Sequence, residues 1–307
     1  MLKSNQKFSN KYTTANGASR AFVNFIGLKT LWFNTGTLCN LTCKGCYIES
    51  SPTNDKLLYL SLKDVEHYIN EILINNKSCK TIGFTGGEPF MNKDIIEILE
   101  LCLVKGFDVL VLTNAMQPMQ NKINNLKKLS KFKKLKLRVS LDHFCMSEHE
   151  KIRGKNTWNK ALRGIELLIN NNFNLNIASR ILYNDEQLIR DGFAKLFKLH
   201  NFKMNANDPN DLVLFPEMDS KFNTPEITTE CWNLLSVESK NMMCSDSRMI
   251  VKRKEDKQTH VVACTLIPHE YRFSYGHILS NSFKKVYLNH PYCSKFCVLG
   301  GATCSNN

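Results

Sequence analysis

Cys39, Cys43 and Cys46 fall in the run T-L-C-N-L-T-C-K-G-C-Y, directly behind a short β-rich segment. Spacings of four and three let three thiolates wrap one side of a compact metal centre, leaving a coordination place for substrate or a distant fourth ligand. A structural zinc site normally closes with four ligands, so zinc stays open at this point. Five more cysteines, Cys244, Cys264, Cys293, Cys297 and Cys304, lie near the C-terminal end. The first residues, MLKSNQKFSNKYTTANG, carry charge but no apolar h-region, and no apolar run approaches the roughly 20 residues that span a bilayer. The expected compartment is therefore the reducing cytoplasm, where metal or redox chemistry explains twelve cysteines better than a disulfide framework.

The elements that must position these residues follow from periodicity. Short β-rich runs at Thr30–Thr35, Thr81–Thr85, Asp108–Thr113, Lys136–Leu141, Asn174–Arg180 and Asp211–Phe215 alternate with stretches of helical period. Ser61 with Asp64 forms a capping box before Val65, Ile69, Ile72 and Leu73. Asn92 is placed to cap the next helix, which ends at Gly106. Further helical patterns cover Gln120–Leu129, Asn156–Asn171 and Asp185–His200. Six strands alternating with helices predict a parallel α/β sheet, doubly wound or an incomplete barrel. After about residue 216 the rhythm stops: Ile227–Ser239 reads as one more helix, and the rest has few apolar residues in periodic runs.

In parallel α/β folds the chemistry gathers at the carboxyl ends of strands. The first strand leads to the cysteine loop and the second to Thr85-Gly86-Gly87-Glu88-Pro89. The third ends in Thr113-Asn114, the fourth in Ser140-Leu141-Asp142 and the fifth in Ser179-Arg180. Paired glycines expose bare backbone to a ligand. Ordinary turn chemistry explains any one of these ends, but turns do not require that they converge on one mouth. Arg180 is the candidate for an anionic group of the substrate. Hydrophobic content of 43%, with 18 Phe and 8 Pro, excludes a disordered chain. The net charge of +13 is mostly scattered Lys, and the one dense run, Lys127 to Lys136, reads as a solvated helix end. Nucleic acid is accordingly not the expected partner.

The combination resembles the radical S-adenosylmethionine (SAM) enzymes. Cys39, Cys43 and Cys46 match their CxxxCxxC signature and Gly86 to Pro89 their GGEP motif. Asn114 and Ser140 to Asp142 resemble their "TNG" and "SLDG" strand ends, and His149 to Gly154 their "HDxxRG" segment. The resemblance covers about residues 28–215 and implies a partial (βα)6 TIM-type barrel. It implies that the three cysteines hold a [4Fe–4S] cluster whose fourth iron binds SAM. Cofactor contacts are then expected from Gly86, Gly87, Glu88, Asn114, Ser140, Asp142 and Arg153, with the glycines receiving the methionine amino group. Reduction of the cluster would cleave SAM to a 5′-deoxyadenosyl radical that abstracts hydrogen from substrate. The family usually has an aromatic residue before its third cysteine; this chain has Gly45 there and Tyr47 just after, so adenine contact is either weaker or supplied by Tyr47 or the end of strand six.

The C-terminal cysteines resemble the SPASM and twitch extensions of the same enzymes. Cys244 and Cys264 flank two β-like runs, Arg248–Lys254 and His260–Ala263, and a hairpin would bring their thiols to one end. Five cysteines in a region poor in core suggest a metal staple. The expectation is one auxiliary [4Fe–4S] cluster with four of the five as ligands, with zinc and free thiols the alternatives. Cys79, Cys102, Cys145 and Cys231 are read as buried packing residues. The chain thus divides into an N-terminal arm (1–27), a radical SAM core (28–215) and a small cysteine-rich metal-binding extension (216–307). The arm is too short for a leader-binding module, which favours a small molecule, or a peptide delivered by another protein, as the substrate; the expected electron donor is a flavodoxin or ferredoxin. The competing class, a zinc-binding scaffold or nucleic-acid-binding protein, leaves Gly86-Gly87-Glu88 and the polar strand ends unexplained.

Overall fold

The computed structural model describes residues 6–75, 78–181, 185–216 and 223–301. In chain order the elements begin β1 (Phe22–Val23), β2 (Thr30–Asn34), α1 (Leu62–Asn75), β3 (Thr81–Thr85), α2 (Ile95–Val104) and β4 (Asp108–Thr113). They continue with α3 (Gln117–Asn121), α4 (Ile123–Leu126), β5 (Leu135–Ser140), α5 (Met146–Arg153), α6 (Trp158–Asn170), β6 (Asn174–Ile181), α7 (Glu186–Leu199) and β7 (Leu212–Pro216). The last part adds α8 (Cys231–Leu234), β8 (Ser247–Lys252), β9 (Thr259–Val262) and β10 (Val286–Tyr287).

Strands β2 to β7 pair side by side in sequence order, every pair parallel. A doubly wound sheet reverses its order part-way along. Unbroken order with helical crossovers is that of a barrel cut open, which is the α/β partial-barrel architecture read from the sequence.

Local chemistry sets most of the boundaries. At the start of α1, Ser61 N donates to Asp64 Oδ2 (2.8 Å) and Asp64 N to Ser61 Oγ (3.3 Å), a reciprocal cap. Helix α2 ends in a Schellman motif: Gly106 N donates to Leu103 O, Phe107 N to Cys102 O, and Gly106 has φ +87°. The N-terminal cap of α2 is Asp94, not Asn92. Pro89–Met91 first makes its own 3-10 turn, which Asn92 ends, and the Asn92 side chain accepts from Asp94 N and donates to Leu60 O. Two expected helices are shorter than their patterns. Gln120–Leu129 is broken into α3, α4 and a final 3-10 turn. Ile227–Ser239 yields only α8, no residue of which is buried, and Ser236 with φ +52° ends the segment. A four-residue helix that only leans Cys231 and Trp232, half-buried, on the neighbouring apolar cluster has little to extend it.

The sheet separates two apolar clusters. Leu31, Phe33, Ile82, Phe84, Val109, Val111, Leu137 and Val139 belong to the one formed with the helices. Trp32, Leu110, Met249, Val251 and Val262 belong to the other, with Met243, Ile267, Leu288 and Phe296. The C-terminal part therefore has an apolar core, contrary to the sequence reading, because it fills the inner side of the open barrel. The expected hairpin is present as β8 and β9, and β8 joins the main sheet parallel to β2. Two buried arginines tie the ends of the chain together. Arg20 pairs with Glu226 (2.6 Å) and donates to the carbonyls of Asn10, Thr13 and Leu288. Arg248 donates to the carbonyls of Cys244, Ser247, Ser282 and Lys284.

Candidate active site

Alternate residues of a strand face the same side. At and just past the strand ends, Thr85, Asn114, Arg138, Ser140, Asp142, Ala178, Arg180 and Phe215 line one cavity of about 200 Å³. Cys39, Cys43, Cys46 and Tyr47 form another wall, and Leu266 and Phe296 of the C-terminal part complete it. The convergence expected of the strand ends is thus realised for Gly86, Gly87, Asn114, Ser140, Asp142, Arg153 and Arg180, all of which line this space.

The cysteine loop lies on the glycines. Gly87 N donates to Gly36 O (2.8 Å) and Glu88 N to Leu38 O (3.2 Å). A Cβ at Gly86, where φ is +134°, would sit 2.6 Å from Gly36 O, and one at Gly87 would run into the Leu38 carbonyl. The paired glycines are therefore needed first so that the loop can close on β3. Farther along, Lys44 N donates to Ile152 O (2.8 Å), fastening the loop to the end of α5. Burial pushes the Cys39 thiol up to about 12, against a hydrogen bond from Leu41 N. Cys43 is likewise raised by burial, although the Arg153 guanidinium pulls the other way. Ligation would have to displace these protons. Among the described residues no three His, Cys, Asp or Glu side chains make a ready cage for a metal ion. The loop thiols instead share one cavity wall, and none is in a disulfide. This donor set, three thiols with bare backbone opposite, fits a cluster that keeps one open position.

Glu88, expected among the cofactor contacts, stands behind the cavity wall at 1% exposure. Its carboxylate accepts from Thr113 Oγ1 (2.8 Å), Asn114 N (2.8 Å) and Phe90 N (3.2 Å). Burial pushes the carboxyl up to about 7 while those donors draw it down. Asn114, so fixed, donates from Nδ2 to Asn40 Oδ1 (2.9 Å) and ties β4 to the cysteine loop. Asn40 was not singled out in the sequence; its place between two ligand-type cysteines was the available signal.

Asp142 links two arginines. Its Oδ2 accepts from Arg153 Nε (2.6 Å) and its Oδ1 from Arg180 Nε (3.2 Å). Burial works to raise this carboxyl, but the two guanidinium groups outweigh it and hold Asp142 below the usual carboxylate range. Arg138 also lines the cavity and donates from Nε to Asn176 Oδ1 (3.2 Å). The sequence reading missed Arg138, although its spacing of two and four from Ser140 and Asp142 puts all three on one face.

In the C-terminal part, Cys244, Cys264, Cys293 and Cys297 line a second small cavity with Met243, Leu266, Leu288 and Tyr292. The β8–β9 hairpin brings the first two together, and a π-helical turn over Cys293–Val298 carries the others. Cys304 lies outside the described residues. Leu266 borders both cavities. Of the cysteines read as packing residues, Cys79 and Cys102 are buried, whereas Cys145 and Cys231 are half-buried.

The family model of the radical SAM superfamily matches residues 33–190. Among curated proteins, the chain is 26% identical over 277 residues to the antilisterial bacteriocin subtilosin biosynthesis protein AlbA of Bacillus subtilis. That match takes in 84% of this chain but only 58% of the relative's length. Among solved structures, Streptococcus suis SuiB bound to its precursor peptide SuiA superposes with a TM-score of 0.62 at 12% identity, over 84% of this chain and 65% of that one. The protein anSMEcpe with bound AdoMet and the Kp18Cys peptide gives 0.60 at 18% identity, over 87% and 82%. At these identities the structural likeness is one of fold.

Proposed function

The chain belongs to the radical SAM superfamily and is an enzyme of it, and from that premise we propose that it modifies a peptide. Support for a peptide, rather than a free small molecule, comes from the relatives: one named for bacteriocin biosynthesis and two of the same fold captured with peptides. The observation that carries the site is the convergence of three loop thiols, the Gly86–Gly87 backbone and the Asp142–Arg153 pair on one cavity.

In this reading Cys39, Cys43 and Cys46 hold a [4Fe–4S] cluster and leave its fourth iron for SAM. When bound, the two supply a one-electron cleavage of SAM to methionine and a 5′-deoxyadenosyl radical. The protein's own residues bind, orient and exclude water. An ammonium needs acceptors, so it is the carbonyls of the Gly86–Gly87 stretch that would receive the methionine amino group, while the N–H groups of Gly87 and Glu88 hold the cysteine loop. Ser140 and Arg153 supply donors for its carboxylate or the ribose. Glu88 acts one layer back, by fixing Asn114. Tyr47, Phe215 and Pro216 provide the apolar surface for adenine that Gly45 does not. Leu266 and Phe296 close the cavity against water, which a primary radical requires.

The second cavity suits an auxiliary [4Fe–4S] cluster on Cys244, Cys264, Cys293 and Cys297, four thiols without need of Cys304. Electrons would come from a flavodoxin or ferredoxin. The reducing cytoplasm is the matching compartment for eleven described cysteines that form no disulfide; among the described residues no helix is long and apolar enough to cross a membrane. Anaerobic purification with iron and sulfide analysis tests the assignment. About eight irons per chain are expected in the wild type, and about four after replacing either the three loop cysteines or the four C-terminal ones by Ala. Zinc alone, unchanged by anaerobic reconstitution with iron, refutes it.

A further inference from the structure

Two arginines that line the main cavity, Arg153 and Arg180, share one lining carboxylate, Asp142. Cations in a partly enclosed space are costly unless paired. SAM cannot balance them, because its carboxylate is accompanied by an ammonium and a sulfonium. A [4Fe–4S]²⁺ core on three thiolates contributes only one negative charge. The surplus positive charge on the Arg153–Asp142–Arg180 group suits an anionic group of the substrate.

The geometry selects which arginine meets it. Arg153 lies on the side of the cysteine loop, directly after Ile152, whose carbonyl accepts from Lys44 N of that loop. Arg180 is the penultimate residue of β6, where its neighbour in the sheet register is Phe215 of β7. Asp142 engages Arg180 through Nε (3.2 Å), and among the described residues it is the side-chain partner of that guanidinium. The Nη pair remains for a ligand, and the planar fork matches a carboxylate in two parallel bonds.

We propose that Arg180, held in place by Asp142, forms a subsite for a carboxylate of the substrate at the β6–β7 side of the cavity. The substrate class that follows is a peptide presenting either an acidic side chain or its C-terminal carboxylate there. The proposal rests on the radical SAM reading of the same cavity.

Calorimetric titration of the reconstituted, SAM-loaded protein tests it with three probes: N-acetyl-glutamyl-glycinamide, N-acetyl-glutaminyl-glycinamide and N-acetyl-glycylglycine. The neutral probe should bind about tenfold or more weaker than at least one acidic probe, the range of a charge-assisted bond. The preferred acid tells side chain from terminus. Arg180→Gln should abolish the preference, and Arg180→Lys should retain part of it. Equal binding of acid and amide to the wild type overturns the subsite. So does an Arg180→Gln protein that keeps the preference but binds SAM more weakly, since Arg180 would then serve SAM. Repeating the titration without SAM separates the two readings. Discrimination in a protein that binds no SAM keeps the subsite and removes the radical reading; SAM binding without discrimination does the reverse.

Discussion

Replacing Asp142 by Asn strikes the joint of the candidate site. The side chain is 5% exposed, and each of its oxygens accepts from the Nε of a different arginine. Asn keeps one acceptor but turns an NH2 toward the other guanidinium and leaves both cations unneutralised. Breaking a buried pair costs about 3–5 kcal/mol. Arg153 and Arg180 retain 12% and 19% of their side-chain exposure, so some solvent screening remains and about 2–4 kcal/mol is the expected loss. Against a typical domain stability of about 5–15 kcal/mol, that is a large shift in the urea midpoint at unchanged slope. Removing Arg180 as well should cost less than the sum of the two single changes, with a coupling of about 1–3 kcal/mol. Because the folded Asp142 carboxyl is held below its ordinary value of 3.8, its contribution is present above that pH and is lost as the pH falls through the folded value. The gap between wild type and variant should therefore close in acid. A midpoint equal to wild type at neutral pH, or a gap that does not change with acidification, refutes the reasoning.

Gly87→Ala should push the cysteine loop off β3, since its Cβ would meet the Leu38 carbonyl. Iron should fall to about half with the circular dichroism unchanged, and full loading would contradict the packing argument. Glu88 gives a second pH signature of opposite sign. Its carboxyl is raised from 4.5 to about 7, so the unfolded chain ionises first and stability should decline between those values and level off above. Glu88→Gln should lack that step in the melting temperature; a wild type whose profile runs parallel to the variant's refutes the shift. Gly164→Ala would gain helix propensity at an exposed site, but here its Cβ would run into the Ala115 carbonyl behind Asn114. A loss of about 1–3 kcal/mol in urea unfolding is expected, and a gain would show that α6 does not press on that turn.

The core was legible because its signals are local. Each of β2 to β7 is a short run bounded by turn residues, and its boundaries in the structure fall within a residue or so of the pattern. The polar strand ends were legible for the same reason: Thr113-Asn114 and Ser140-Leu141-Asp142 break the apolar run at the carboxyl edge. What the sequence concealed is long-range. The pairing of Thr30 with Ser247 joins residues more than 200 apart, and nothing near either residue announces it. The inner apolar cluster was hidden likewise, because Trp32, Leu110, Met249 and Phe296 come from separate elements and show no common period. The direction of the Glu88 side chain was hidden as well, because a motif gives the residue but not where its carboxylate turns, which Thr113, Asn114 and Phe90 as donors decide.

Dithionite reduction of the anaerobically reconstituted protein with SAM, read by mass spectrometry for 5′-deoxyadenosine, tests the assignment most directly. The wild type should form 5′-deoxyadenosine, and the Cys39→Ala, Cys43→Ala, Cys46→Ala triple variant should form none while keeping the iron held by the four C-terminal cysteines. Iron-loaded wild-type protein that leaves SAM intact, or a triple variant that cleaves it equally well, would contradict the placement of the radical centre on this loop.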